Sequence, residues 1–162
     1  MILRIGKEMN SIIPVDKVFP DELMERIYNE IDHVPWHYGW PSNKGMGYSH
    51  WNYDFAGAGP DNGLDCAANL TGVIDEAWKY LKQNVVGDQA LLRCYTNSHT
   101  FGVEGYPHTD SSRPEDKTIV VYINKRWRRE WGGETMIYNG YKIAHAELPN
   151  YNHGLIFNGA DL

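Results

Sequence analysis

The sequence predicts a mainly β fold with helices packed on one side of a sandwich or barrel. The hydrophobic period changes from about four residues to about two near residue 90, and 16 Gly and 8 Pro punctuate the chain. Aromatic residues, which favour strands, make up 13% of it. At 162 residues the chain can bury a sizeable core, so we expect one domain over residues 1–162.

The first predicted elements are a strand and a helix. Residues 2–5 form a candidate strand, with residues 12–15 as its continuation. Acidic residues at 21 and 22 suit the positive end of a helix dipole, and Pro35 ends the segment. Apolar residues at spacings of four give this helix one buried face; they are Leu23, Ile27 and Ile31.

An aromatic-rich segment follows at residues 36–65, and its alternation predicts a strand around residues 48–55. Its rings either fill core space or line a substrate pocket, and the pattern leaves both readings open. A second helix is predicted from about Leu64 to Gln83, closed by Gly87. Its buried stripe would be Leu70, Ile74, Trp78 and Leu81.

Residues 90–162 indicate strands joined by turns, which the helices and aromatic strand of residues 1–89 would brace. A two-residue hairpin turn is predicted at Asn139–Gly140, and residues 97–105 form a connection. The predicted strands and extended segments are residues 91–95, 106–110, 118–124, 135–138, 142–147 and 153–157.

Composition excludes several classes of protein. A net charge of −6 argues against a general nucleic-acid or membrane-surface binder. No apolar run predicts a signal peptide or a membrane span. The two cysteines, Cys66 and Cys94, are too few for a disulfide framework. We therefore expect a soluble cytoplasmic protein with no membrane partner; the sequence leaves its oligomeric state open.

His108 and Asp110 are the candidate metal ligands. They lie two residues apart, so on an extended segment both side chains leave from the same face. An imidazole and a carboxylate are two of the three ligands in the facial site of non-haem Fe(II) oxygenases. The triplet alone is not specific, because a loop histidine beside a turn-forming aspartate gives the same pattern.

Five short stretches in order strengthen the metal interpretation. They are Arg-Cys-Tyr at 93–95, His-Thr-Asp at 108–110, Ile-Val-Val-Tyr-Ile-Asn at 119–124 followed by Trp127, Trp-Gly-Gly-Glu at 131–134, and Gly-Leu-Ile-Phe-Asn-Gly at 154–159. Together they resemble the double-stranded β-helix (jelly-roll) core of the Fe(II)- and 2-oxoglutarate-dependent oxygenases, in particular the prolyl 4-hydroxylase-like branch. The resemblance covers residues 91–159.

The resemblance implies a role for four residues. His108 and Asp110 would be the first two iron ligands. Tyr95 would lie near the co-substrate, and Tyr122 would hydrogen-bond the distal carboxylate of 2-oxoglutarate. Ordinary strand packing is the alternative for both tyrosines.

The resemblance also implies an activity. The cofactor would be Fe(II), with 2-oxoglutarate and O2 as co-substrates and ascorbate as an additional reductant. The substrate would be a peptidyl proline or another small C–H substrate, either a small molecule or a peptide. Two alternatives stay open: a non-catalytic jelly-roll binding module, and a metal enzyme of the cupin type.

The chain departs from the family pattern after the closing strand. The family's distal histidine, and later a basic residue for 2-oxoglutarate, follow the segment that matches residues 157–159. Since the sequence ends at Leu162, we expect the third ligand beyond Leu162, and the 162 residues alone would be inactive without it. We expect surface or packing roles for His99, His145 and His153.

One basic cluster stands out in this acidic chain, Lys-Arg-Trp-Arg-Arg at 125–129. It is either a solvated loop between strands or a rim that attracts an acidic substrate or protein.

Overall fold

The computed structural model describes residues 2–4, 12–42, 45, 47–57 and 63–160, and it is mainly β with two α-helices among these residues. The helices are α1 (Asp21–Asp32) and α2 (Gly72–Leu81). The strands are β1 (Ile2–Arg4), β2 (Ile13–Val15), β3 (His37–Trp40), β4 (His50–Ala56), β5 (Ala90–Ser98), β6 (Asp116–Val121), β7 (Thr135–Asn139), β8 (Lys142–Glu147) and β9 (Gly154–Asn158).

The described strands form three antiparallel sheets, two of which share β5. Together the two joined sheets have the strand order β2-β9-β6-β1-β5-β4-β3, and β7 and β8 form a separate hairpin. The first part of β5 pairs with β1, and residues 94–98 pair with β4. The prediction that residues 12–15 continue the first strand is wrong, because β2 pairs with β9 whereas β1 pairs with β5 and β6. Ile5, the last residue of the strand predicted at residues 2–5, lies outside the described residues.

The prediction of the first helix is confirmed, whereas the second helix is shorter than predicted. Leu23, Ile27 and Ile31 are buried on α1. The predicted helix from Leu64 to Gln83 begins only at Gly72 and ends in a π-helical turn at Lys82–Val86. The Asp65 carboxylate accepts hydrogen bonds from the backbone N–H groups of Ala67 and Leu91, which ties this segment to β5 instead.

The joined sheets carry an apolar core on each face. On one face, side chains of α1 and α2 pack against the sheet around Leu91, Cys94 and Ile119. On the other face, Ile137 of the β7–β8 hairpin packs with Leu155 and Phe157 of β9. Successive side chains of β6 point to opposite faces of the sheet, and its residues 116–119 are all buried. β6 therefore contributes buried side chains to both faces. The helices therefore cover one face and the hairpin covers part of the other.

Several strand boundaries differ from the predictions. β5 runs on through Asn97 and Ser98, which pair with β4 although such residues usually favour turns. β6 begins at Asp116 and ends at Val121, so Tyr122 follows it. The hairpin turn is Gly140–Tyr141, one residue later than predicted, since Asn139 pairs with Lys142. Gly140 supplies the positive φ of +61° at the first position of this two-residue loop.

A buried clasp joins the segment before α1 to the turn before β9. Asn152 is 5% exposed. Its side-chain carbonyl accepts a hydrogen bond of 3.0 Å from the Phe19 N–H, and its amide donates one of 2.8 Å to the Phe19 carbonyl. Both hydrogen bonds therefore fix the same backbone unit, as expected for a buried amide.

Candidate functional site

The predicted metal ligands lie in the loop between β5 and β6. The prediction that residues 106–110 are extended is wrong, because this segment contains no strand. Tyr106 has φ +51°, a left-handed conformation that a bulky residue rarely adopts, and it turns the chain just before Pro107. Strand alternation therefore does not explain why His108 and Asp110 are close to each other; the loop conformation does.

His108 and Asp110 face each other. The imidazole Nε2 lies 3.7 Å from the Asp110 Oδ1 atom. The other ring nitrogen, Nδ1, is 2.7 Å from the Tyr106 carbonyl oxygen, which can only accept, so Nδ1 carries the proton and Nε2 keeps its lone pair. The second carboxylate oxygen of Asp110 accepts a 2.7 Å hydrogen bond from the Thr118 hydroxyl. The two side chains are 38% and 17% exposed, so both are partly open to solvent.

This geometry fits two adjacent ligands of a divalent metal. Ligand atoms about 2.1 Å from an octahedral ion lie roughly 3.0 Å apart, a separation that a small side-chain movement from 3.7 Å achieves. Each ligand is also oriented by a further hydrogen bond, as is usual around metal sites. Among the described residues, no group of three or more His, Cys, Asp or Glu side chains could hold a metal. Within the described part of the chain, His108 and Asp110 therefore form a group of two residues, fewer than the three ligands that the sequence predicts.

Backbone contacts hold the Asp110 end of the loop against the sheet. The Arg93 guanidinium of β5 donates a hydrogen bond to the Asp110 carbonyl. The Ser111 N–H donates to the Gly159 carbonyl over 2.9 Å. The chain just after β9 therefore helps to fix the position of the candidate site.

The two predicted co-substrate tyrosines lie in different surroundings. Tyr95 is largely buried close to Asp110; burial, and next the Asp110 charge, raise the pKa of its phenol. Tyr122 is buried, and its hydroxyl has no well-formed hydrogen bond in the described part of the chain. Burial raises the pKa of Tyr122 to about 12; the nearby Thr135 side chain opposes this shift, and the Glu147 charge adds to it. Tyr95 is close enough to Asp110 for the carboxylate charge to affect its pKa, whereas the pKa of Tyr122 responds to Thr135 and Glu147 instead.

A stacked histidine pair beside the site was missed by the sequence prediction. The rings of His50 on β4 and His99 are 4.3 Å apart and nearly parallel, at 14°. His50 is 2% exposed; burial, then the His99 ring, lower its pKa to about 4, with Asn97 opposing. Both rings also lie close to His108, and a positive charge on that imidazole would lower their pKa values.

One face of β4 and β5 next to the loop is polar. Asn52 pairs with Asn97, and Asp54 pairs with Tyr95, so their side chains share a face. The alternation of His50, Asn52 and Asp54 was the available sequence signal, but only the structure shows that this face meets the His108 loop. The polar face extends the candidate site well beyond the His-x-Asp triplet.

The other histidines and the basic cluster lie elsewhere. His145 Nε2 is 3.0 Å from a Glu147 carboxylate oxygen on β8, and His153 Nδ1 is 3.3 Å from Asp16. In the basic cluster, Lys125 pairs with Glu25 of α1 and lies 4.2 Å from the centre of the Tyr28 ring. These contacts tie the start of the cluster to α1.

Comparisons with protein-family models, with curated proteins and with solved structures found no match to this chain. Neither helix in the described part of the chain has the length and apolar character needed to cross a membrane.

Proposed function

We propose that this chain is the core of an Fe(II)- and 2-oxoglutarate-dependent oxygenase that hydroxylates a peptidyl proline or another small C–H substrate. One observation carries the proposal: His108 Nε2 and Asp110 Oδ1 face each other at 3.7 Å, each oriented by a separate hydrogen bond. A neutral imidazole and a carboxylate held in this way are ligands that Fe(II) accepts.

The proposal includes the finer fold assignment, a double-stranded β-helix built from β5, β6, β9 and the β7–β8 hairpin. The second apolar cluster supports it, because Ile137 of the hairpin packs against Leu155 and Phe157 of β9. The sharing of β5 between two sheets also supports it, since a rolled sheet requires a strand that changes partners along its length.

The chain's own residues have distinct proposed roles. His108 and Asp110 would hold the iron, which with 2-oxoglutarate and O2 supplies the oxidation of an unactivated C–H bond. Tyr95 stays protonated because its pKa is raised, so it could donate a hydrogen bond to an oxygen atom of the co-substrate bound beside Asp110. The buried hydroxyl of Tyr122 would donate to the distal carboxylate of 2-oxoglutarate, a strong partner for a phenol.

The third iron ligand is proposed to come from outside the described residues, at the position where the family places its distal histidine. A free imidazole in solution offers the same donor atom as a histidine side chain. Two protein ligands plus imidazole therefore make a test possible with the 162-residue chain. A cytoplasmic location and ascorbate as a reductant also belong to this proposal.

The experiment measures succinate formed from 2-oxoglutarate with Fe(II), ascorbate and air, with and without millimolar imidazole. With imidazole present, we expect succinate from the unchanged chain, loss of succinate in His108→Ala, and retention in the matched control His145→Ala, which removes an imidazole from the other His-x-acid triplet. If the unchanged chain forms no succinate under either condition, or His108→Ala forms as much, the oxygenase proposal fails and the binding-module alternative gains.

A further inference from the structure

Two ring stacks join the loop that carries His108 to the chain around the start of β4. The Tyr48 and Tyr106 rings stack with centroids 5.7 Å apart at 30°. The His50 and His99 rings stack at 4.3 Å. In each stack one ring comes from residues 48–50 and the other from the loop that follows β5. The loop is therefore attached at two points, one of them only two residues before His108.

Tyr106 is the strained residue of this loop. Its φ of +51° lies in the left-handed region, where a bulky L-residue is a clear outlier. Such conformations persist only where the surroundings hold them, and they cluster at functional sites. Tyr106 lies outside any strand or helix, and its ring contacts residue 48 through the stack.

The strained residue also orients the predicted metal ligand. The Tyr106 carbonyl accepts the hydrogen bond from His108 Nδ1 at 2.7 Å. This bond fixes the ring's tautomer and its rotation, and it leaves Nε2 directed at the Asp110 carboxylate. A change in the Tyr106 backbone therefore alters which nitrogen of His108 is free to bind a metal.

We propose that Tyr48 is a positioning residue for His108. Its ring holds Tyr106 in the left-handed conformation, the Tyr106 carbonyl holds the His108 imidazole, and the imidazole presents Nε2 beside Asp110. The His50–His99 stack is the second anchor, with the His99 ring 3.5 Å from the position that a Cβ atom on Gly105 would occupy. The metal part of this inference rests on the proposed function, whereas the orientation of His108 does not.

The test uses variants of Tyr48 with one matched control. Tyr48→Ala removes the stacked ring, and Tyr48→Phe keeps it. Tyr38→Ala is the control, because the Tyr38 ring contacts the Trp51 ring in a tilted geometry, with centroids 5.2 Å apart, within the β3–β4 pair and not on the loop. Tyr48 and Tyr38 are 48% and 61% exposed, so neither truncation opens the core. Tyr106→Asn is a second variant, since Asn tolerates positive φ but lacks the ring.

Two measurements separate this inference from the metal proposal. The imidazole ¹⁵N chemical shifts of His108 in metal-free protein report its tautomer, and Mn(II) titration followed by electron paramagnetic resonance reports affinity. We expect Tyr48→Ala to lose the Nδ1–H tautomer and to bind Mn(II) roughly 10-fold more weakly, the effect typical of residues that support metal ligands. Tyr106→Asn should keep the tautomer, because Asn adopts the positive φ without the ring. Tyr48→Phe and Tyr38→Ala should match the unchanged chain in both measurements.

Each outcome decides one of the two proposals. If Tyr48→Ala keeps the Nδ1–H tautomer, the positioning role is overturned, whether or not Mn(II) binds. If the unchanged chain binds no Mn(II) with or without added imidazole, the metal proposal fails, and a tautomer change in Tyr48→Ala still supports the positioning role.

Discussion

The chain contains two His-x-acid triplets that the structure treats differently. In His145-Ala-Glu147 the imidazole and carboxylate are 3.0 Å apart on β8, within hydrogen-bond distance. In His108-Thr-Asp110 the facing atoms are 3.7 Å apart in a loop. The side chains of the first triplet are close enough to hydrogen-bond each other. In the second triplet, the atoms that face away from the pair make the hydrogen bonds: one ring nitrogen bonds the Tyr106 carbonyl, and one carboxylate oxygen bonds the Thr118 hydroxyl.

Sequence spacing alone therefore does not identify a metal site. A ligand atom must keep its lone pair free, and that depends on which groups bond the other side of the ring and of the carboxylate. Of the two triplets, the 108–110 pair is the one for which the described residues show such support.

The largest expected effect is on metal affinity when one facing carboxylate is removed. Asp110→Asn should lower Mn(II) affinity more than about 100-fold, because changes in residues that merely support the ligands already cost about 10–100-fold. The matched change Glu147→Gln should leave affinity unaltered. Calorimetric titration of both variants checks this, and equal losses would show that the two triplets do not differ as argued.

The next effect concerns stability in acid and depends on His50. This residue lies near the 108–110 triplet and not near the 145–147 triplet. Its pKa falls from 6.5 unfolded to about 4 folded, so the unfolded chain binds the extra proton between these values. Stability from the neutral ring is therefore complete above pH 6.5 and is lost as pH falls toward 4, by about 3 kcal/mol.

Urea unfolding at pH 7 and pH 4.5 tests this linkage. His50→Phe keeps a ring for the stack with His99 but cannot titrate, so it should lose less stability between the two pH values. An identical loss in the variant and in the unchanged chain would contradict the prediction, since carboxylates titrate in both proteins.

A smaller effect is expected at the Thr118 hydroxyl. Thr118→Val keeps the side-chain shape but leaves the Asp110 Oδ2 atom without its 2.7 Å donor, so Mn(II) affinity should fall about 10-fold. Thr135→Val, near Tyr122 on the hairpin strand β7, is the control and should leave affinity unchanged. Equal affinities for both variants would remove Thr118 from the site.

The smallest effect is expected for the His145–Glu147 pair. Its side chains are 26% and 18% exposed, and partly exposed ion pairs contribute at most about 1 kcal/mol. A double-mutant cycle with His145→Ala and Glu147→Gln, measured by urea unfolding, should give a coupling below that value. A much larger coupling would mean that this pair has a structural importance that its contacts do not explain.

Local patterns predicted the local elements of this fold. The acidic first turn and apolar spacing of α1, and the residues of the β7–β8 hairpin, are contained within short segments. The start of α2 was predicted wrongly because Asp65 bonds the backbone of Leu91, 26 residues away. β3 was missed because Gly39 and the flanking Pro35 and Pro41 indicate turns and loops, although aromatic residues alternate at 36, 38 and 40.

The candidate site was predictable only in part for the same reason. His108 and Asp110 are neighbours in sequence, so their pairing could be proposed directly. His50 and His99 come from segments 49 residues apart, and no local pattern shows that their rings stack. The role of Tyr106 depends on a left-handed backbone, which the sequence of a tyrosine before a proline does not predict.

The hydrogen bonds between Asn152 and Phe19 connect residues 133 positions apart, which affects the rate of folding. Closing so long a loop costs entropy before any contact forms, and antiparallel proteins rich in such distant pairings fold in milliseconds to seconds. We therefore expect stopped-flow refolding to be slow, with the turn before β9 joining its partner late. During that interval the edge of β9 would stay open to pairing with other chains.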